Sequence, residues 1–302
     1  MQYLTIFPGQ GAQKVGMGAA FREHPVFQEH LAQADTLLNL PLSSLMAEGP
    51  AEQLKETLYA QLSLFVMETG IYKLWKTQAE VLPLAVAGHS LGEYSALYAA
   101  GVFSFEQGLE LVHHRASWMQ EDCEAHPGSM AAVIRPQLDA INKLCQSVEN
   151  VVIANDNSQS QVVLSGDKAS LADITARIQS EKWGKIIPLA VSGAFHSPLM
   201  QNASKKMAQH LKNTAFENPE VPVMMNSTAQ LERTAEGIKA ALIAQILSPV
   251  RWRESMENLA PLAPTAVLEM GPPTLKRLVQ QSLPDCPVHS IVTPEAMQAR
   301  QV

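Results

Sequence analysis

Residues 86–98 read V-A-G-H-S-L-G-E-Y-S-A-L-Y: a short apolar run, then G-H-S-L-G, then a stretch without helix breakers. This is the G-x-S-x-G pattern, in which a serine sits on a sharp strand-to-helix turn with its hydroxyl exposed and neighbouring backbone N–H groups free. Ser90 is therefore the candidate nucleophile, and Gly88 and Gly92 stand where a Cβ would collide with the adjacent strand or helix. A serine hydroxyl is a poor nucleophile at neutral pH and needs a base. Of nine histidines, His196 in V-S-G-A-F-H-S-P-L-M stands out, because it lies where two differently patterned parts of the chain meet. A histidine between small and apolar residues is more often simply packed, so residue type alone leaves its role open. His89, on the tight turn itself, should point away from the serine hydroxyl and support the turn. His113 and His114 fall in a helical stretch, and His24, His30, His126, His210 and His289 have no companion motif.

Acyl chemistry at a serine also requires donors aimed at the developing oxyanion. The N–H of Leu91, at the start of a helix whose positive dipole end faces the serine, is one candidate. The N–H of Gln10 in F-P-G-Q-G-A-Q, residues 7–13, is a second, with a phosphate-cradling turn or a plain loop as the alternatives. The loop lacks the G-K-[ST] of a P-loop and the G-x-G-x-x-G of a dinucleotide site, which discounts the nucleotide alternative. Arg115 is a cation in the otherwise apolar and neutral stretch L-V-H-H-R-A-S-W-M-Q of a helix. A planar guanidinium can hold a carboxylate through two parallel hydrogen bonds, although an arginine in a helix more often faces solvent.

The elements that must position these residues follow α/β grammar. Tyr3–Phe7 and residues 84–87 read as buried strands, Pro25–Leu38 and residues 51–79 as helices, and residues 104–119 as a helix opened by a Ser104/Gln107 capping box. The pattern then changes. Strands at residues 130–134, 151–154, 161–165 and 185–190, with helices at 136–147 and 168–181, give β-α-β-β-α-β, the ferredoxin-like signature. From about Ser197 the chain returns to helical segments, with short strands near residues 221–225 and 266–269. The expected architecture is a large α/β-hydrolase-like domain with a mostly parallel sheet, residues 1–127 and 197–302, and a small ferredoxin-like domain inserted at 128–196.

Composition bounds the function. A chain of 302 residues, 46% hydrophobic and 17% charged, is that of an ordinary globular protein. A formal net charge of −7 leaves no basic surplus for nucleic acid, so any anionic substrate must be held by a few placed cations. Three isolated cysteines suggest neither a disulfide framework nor a zinc site, and no apolar run reaches membrane-spanning length. A cytoplasmic monomer without metal or membrane contact is expected.

These motifs together resemble the malonyl-CoA:acyl carrier protein transacylase family, including the discrete acyltransferases that serve polyketide synthases. F-P-G-Q-G-A-Q is similar to its N-terminal motif, and residues 88–97 to its G-H-S-L-G-E-[YF]-[SA]-A-L nucleophile motif. Arg115 with the following W-M-Q resembles its arginine motif, and G-S-M-A-A-V at 128–133 the start of its small domain. Residues 155–161 resemble its N-x-N-S-P-x-Q loop, with Asn157 in a supporting position, and A-F-H-S at 194–197 its histidine motif. The resemblance implies a Ser90–His196 dyad, with the carbonyl of Arg251 orienting the imidazole and the N–H groups of Gln10 and Leu91 forming the oxyanion hole. It further implies that Arg115 pairs with the free carboxylate of a malonyl group and that Phe195 disfavours an α-methyl branch. Malonyl-CoA would be a substrate, not a cofactor, and an acyl carrier protein the partner. An acyl hydrolase clearing carrier proteins is the alternative, but such relatives tend to lose the arginine. Gln159 in place of the loop proline, Pro273 in E-M-G-P-P, and His113-His114 ahead of Arg115 depart from the family pattern.

Overall fold

The structure, a computed structural model, describes residues 2–79 and 81–298. Met1 and residues 299–302, at the ends of the expected large domain, and Glu80 lie outside the described residues. The chain begins with β1 (Tyr3–Phe7), α1 (Pro25–Leu38), α2 (Leu42–Glu48), α3 (Ala51–Lys55), α4 (Thr57–Lys76), β2 (Ala85–Gly88), α5 (Gly92–Ala99) and α6 (Phe105–Ala125). It continues through β3 (Gly128–Ile134), α7 (Leu138–Ser147), β4 (Val151–Ser158), β5 (Gln161–Asp167), α8 (Lys168–Ser180) and β6 (Lys185–Pro188). It closes with α9 (Gln201–Asn213), β7 (Val223–Met224), β8 (Leu231–Glu232), α10 (Ala235–Gln245), α11 (Trp252–Leu259), β9 (Ala266–Met270), α12 (Lys276–Ser282), β10 (Val288–Ile291) and α13 (Pro294–Gln298).

One six-stranded sheet has the order β10-β9-β1-β2-β7-β8, parallel except for β8. Every residue of β1 is buried because both faces are covered: Tyr3 and Phe7 join the main core, while Leu4 and Ile6 pack with Trp252 and Met256 of α11. The second sheet is antiparallel, in the order β4-β5-β3-β6, which is the strand order of a ferredoxin-like unit. Ala131 and Val133 of β3 face α7 and α8, and the alternate residues Met130 and Ala132 join the main core. The small sheet therefore shows one face to its own helices and the other to the large domain. Val250 N donates to Ala154 O and Asp156 N to Val250 O, so β4 is stitched to the chain just before α11.

Two local features depart from expectation. The helix expected over residues 51–79 is broken at Glu56, whose extended backbone ends α3 and starts α4. No residue next to Glu56 breaks a helix by propensity; a tertiary contact, Thr57 Oγ1 to Ser192 Oγ at 2.6 Å, anchors the new start. β8 and β10, unforeseen, are two and four residues long and border the sheet. The Ser104/Gln107 capping box is formed, and it fixes the start of the helix that carries Arg115.

The sheet brings the two glycine-bearing loops together. Phe7 and Gly88 pair in register, so the loops after β1 and β2 leave the same carboxyl edge, where α/β sheets place their ligand crevice. α5 then crosses so close to β1 that a Cβ on Gly92 would lie 2.2 Å from Phe7 O, and one on Gly88 would lie 1.9 Å from the Gly92 carbonyl carbon. Backbone on both sides leaves no room for adjustment. Gly92→Ala is expected to destabilise the fold by about 3 kcal/mol or more, read by urea denaturation; unchanged stability would show that α5 can lift off the sheet.

Candidate active site

Ser90 stands at the carboxyl end of β2 with φ 52°, in the left-handed region that a non-glycine residue adopts only under constraint. Asn226, just after β7, supplies that constraint. Its Oδ1 accepts from Ser90 N at 2.7 Å, its Nδ2 donates to Gly88 O at 2.7 Å, and its own N–H donates to Glu93 Oε1 at 2.5 Å. The amide thus clamps both sides of the turn. Leu91 follows as the N-cap of α5, and among the described residues neither its N–H nor that of Gln10 has an acceptor within the chain. Both expected oxyanion donors are thus unspent; Leu91 follows the serine directly, and Gln10 lines the same cavity as Ser90.

His196 Nε2 lies 2.8 Å from Ser90 Oγ, although 106 residues separate the two in sequence. His196 too has a left-handed backbone, φ 55°. Its Nδ1 lies 3.1 Å from Gln245 O and 3.0 Å from Ser248 O. Carbonyls only accept, so Nδ1 carries the hydrogen and Nε2 presents its lone pair to the serine. The expected orienting carbonyl of Arg251 is not the one used. That carbonyl accepts from Ser255 N and Oγ inside α11, while the Arg251 guanidinium holds Glu254 and Thr228 O. The imidazole takes instead two carbonyls at and just beyond the end of α10, Gln245 O, which also accepts from Ser248 N at 3.3 Å, and Ser248 O. Burial, and then the Arg115 charge, push the pKa of His196 down to about 3, so the ring is neutral and ready to accept a proton.

Arg115 is 1% exposed. Its Nη1 donates to Gln61 Oε1 at 2.5 Å, its Nε and Nη2 to Gln245 Oε1 at 3.3 and 3.2 Å, and Nη2 also to Ser90 Oγ at 3.2 Å. All three acceptors are neutral, and among the described residues no carboxylate pairs with it within 4.0 Å. Burial lowers its pKa, with Tyr94 and Glu93 acting the other way, yet a guanidinium stays charged at any working pH. A desolvated cation without a counter-ion therefore touches the nucleophile's oxygen.

Gln245 links these groups. Besides its bonds to Arg115 and His196, its Nε2 donates to Ser90 O at 2.9 Å and to Glu93 Oε2 at 2.6 Å. Burial raises the Glu93 pKa to about 7, against the hydrogen bonds from Asn226 and Gln245 and the Arg115 charge. The sequence alone does not single out Gln61, Asn226 or Gln245, and it shows Glu93 as a member of the nucleophile motif without a structural role. The available signal was a single amide or acid in an otherwise apolar run, as in A-A-L-I-A-Q at 240–245, because buried polar groups need partners.

A cavity of about 220 Å³ opens over these groups, between the large domain and the cleft-facing residues Ala132 and Val163 of the small sheet. Phe195 lines it and is 6% exposed. His89 points away from the serine, as expected, with Nε2 2.8 Å from Asn157 Oδ1 and its ring against Trp252. Asn157, whose Nδ2 also donates to Gln161 Oε1 at 3.2 Å, thereby braces the nucleophile turn from β4 despite Gln159 in that hairpin. Other cavities are larger, among them two of about 550 Å³ each along α7, but neither of these is lined by Ser90, His196 or Arg115.

A strained serine, a neutral imidazole on its oxygen and spare N–H donors define a serine acyl-transfer enzyme, built on an α/β sheet with an inserted antiparallel unit. The chain belongs to the acyl transferase family, whose domain model matches residues 4–298. It is 35% identical to the malonyl CoA-acyl carrier protein transacylase of Escherichia coli K12, across 99% of this chain and 98% of that one. The crystal structure of the Synechocystis sp. PCC 6803 malonyl-CoA:ACP transacylase superposes with a TM-score of 0.92 at 36% identity, covering 99% of this chain and 100% of that one. A malonyl-transacylase in complex with a type II polyketide-synthase acyl-carrier protein gives 0.94 at 32% identity, covering 99% and 98%.

The unfolded imidazole of His196 takes up a proton below about pH 6.5, whereas the folded one stays neutral until about 3. Acid therefore works against the fold across that window. In NMR of protein carrying labelled histidine, with His196→Gln for assignment, the His196 ring should show no protonation shift between pH 8 and 5. Titration near pH 6.5 would contradict the burial described.

Proposed function

We propose that the protein transfers a malonyl group from coenzyme A to the phosphopantetheine thiol of an acyl carrier protein. The observation that carries the proposal is the buried Arg115 guanidinium in contact with Ser90 Oγ and, among the described residues, with no carboxylate within 4.0 Å. In a malonyl thioester the free carboxylate is two bonds from the carbon that Ser90 attacks, so an anchor beside Oγ holds it while the acyl carbon meets the nucleophile. A carrier-protein hydrolase acting on uncharged acyl chains has no use for that cation, and desolvating one without purpose is costly.

In the first half-reaction His196 Nε2 takes the Ser90 proton as Oγ bonds to the thioester carbon. The tetrahedral oxyanion is held by Gln10 and Leu91 N–H, the C–S bond breaks, and coenzyme A leaves with the proton from His196. The carboxyl end of α10, against Nδ1, favours the transient imidazolium. In the second half His196 takes the proton of the carrier's thiol, the sulfur attacks the malonyl-serine ester, and Ser90 leaves with that proton. Coenzyme A is a substrate here, and the steps as written require no cofactor.

Phe195 fills the space that an α-methyl branch would need, a discrimination of about 1–3 kcal/mol for one methyl group. The partners are thus malonyl-CoA and a phosphopantetheinylated carrier protein, in fatty acid or polyketide synthesis. Three free cysteines suit a cytoplasmic setting, and no described helix is long and apolar enough to cross a membrane. The dyad and anchor all come from one chain, consistent with action as a monomer.

Incubation with radiolabelled malonyl-CoA should label the protein covalently, Ser90→Ala should remove the label, and holo carrier protein should discharge it faster than water does. Discharge to water at an equal rate would favour the hydrolase. Arg115→Ala should lower malonyl loading about a hundredfold and leave acetyl loading largely intact; equal losses on both substrates would show that Arg115 does not read the carboxylate.

A further inference from the structure

Outside the cleft, three metal-ligating side chains converge on one point of the surface. Glu110 and His114 are one turn apart on α6, and His210 comes from α9, which packs across it. Nε2 of His114 and of His210 lie 3.8 and 3.9 Å from Glu110 Oε1, and a ligand atom from each residue lies within 4.8 Å of the others. These separations exceed hydrogen-bond distance. The two distances to Glu110 come near the ~3.3–3.6 Å between donors that share a tetrahedral cation at ~2.0–2.2 Å; rotation of the exposed Glu110 side chain closes that difference, and a small turn of the partly exposed imidazoles closes the gap between them. Among the described residues, neither imidazole has a hydrogen bond within the chain.

The rings are also held in place. His114 stacks on the Trp118 indole at 4.8 Å and 16°, while His210 stands edge-on to His114 at 4.6 Å and to Trp118 at 5.9 Å. Aromatic packing thus fixes two imidazoles from different helices toward a common carboxylate, which lowers the ordering cost of ligation.

We propose that Glu110, His114 and His210 bind a divalent transition cation of the zinc type, with water completing its shell. Two imidazoles and a carboxylate are the donor set that such ions accept, and calcium or magnesium would prefer oxygen alone. The cation joins α6, at the residue before Arg115, to α9, the helix that follows His196. It acts as a clamp, because an ion bound only by the folded chain stabilises it by mass action.

The test is calorimetric titration of tag-free, chelator-stripped protein with zinc and with cobalt(II) salts. One saturable site of about micromolar affinity or better is expected, together with a rise in Tm of about 4 °C at hundredfold saturation. His114→Ala and His210→Ala should each weaken binding at least about tenfold and remove the Tm shift. His126→Ala, an exposed histidine at the other end of α6, should change neither. No saturable binding below about 100 μM, or equal binding in the His114 and His210 variants, would overturn the proposal.

Discussion

A guanidinium sealed from water with only neutral oxygens around it is the constraint to which the rest of the site answers. Arg115 cannot shed its proton, and an unpaired buried charge is costly. Gln61, Gln245 and Ser90 satisfy its N–H groups without neutralising it, and Glu93 adds favourable charge from further away. The ion pair is left for a ligand to complete. The same cation works on His196: beside burial, it keeps the imidazole neutral, which is the form a general base must have before the reaction begins.

Strain and hydrogen bonding do the positioning. Ser90 and His196 both sit at positive φ, a cost of order 1–3 kcal/mol each that the surroundings must impose. Asn226 imposes it on the serine turn, and the carbonyls at the end of α10 receive the imidazole. Gln245 joins the two halves, since its side chain bonds the Ser90 carbonyl, Glu93 and Arg115 while its own carbonyl accepts from His196. In a low-dielectric network of this kind, the loss of one member disturbs the others.

Much of this was legible from residue order. The G-H-S-L-G turn needs glycines for close approach and so announces itself, and the β-α-β-β-α-β alternation of the insert follows from local patterning. His196 and Arg115 were visible as residues, but only resemblance gave them roles, because contacts across 106 and 25 positions have no local signature. Asn226 and Gln245 act through sheet pairing and a helix end, which a linear pattern does not encode. The Arg251 expectation failed for the same reason: several carbonyls crowd the turn after α10, and sequence spacing cannot say which of them face the imidazole. The break at Glu56 was hidden because a contact with Ser192 outweighs helix propensity there.

The most direct test of the unpaired cation compares malonyl-CoA with its malonyl methyl ester, whose acyl group has nearly the same shape and no charge. In wild-type protein, kcat/KM for serine acylation should fall about a hundredfold or more with the ester, and in Arg115→Ala the two substrates should react at nearly equal rates. Equal use of both substrates by the wild type would contradict the account, since the buried guanidinium would then have no carboxylate to meet.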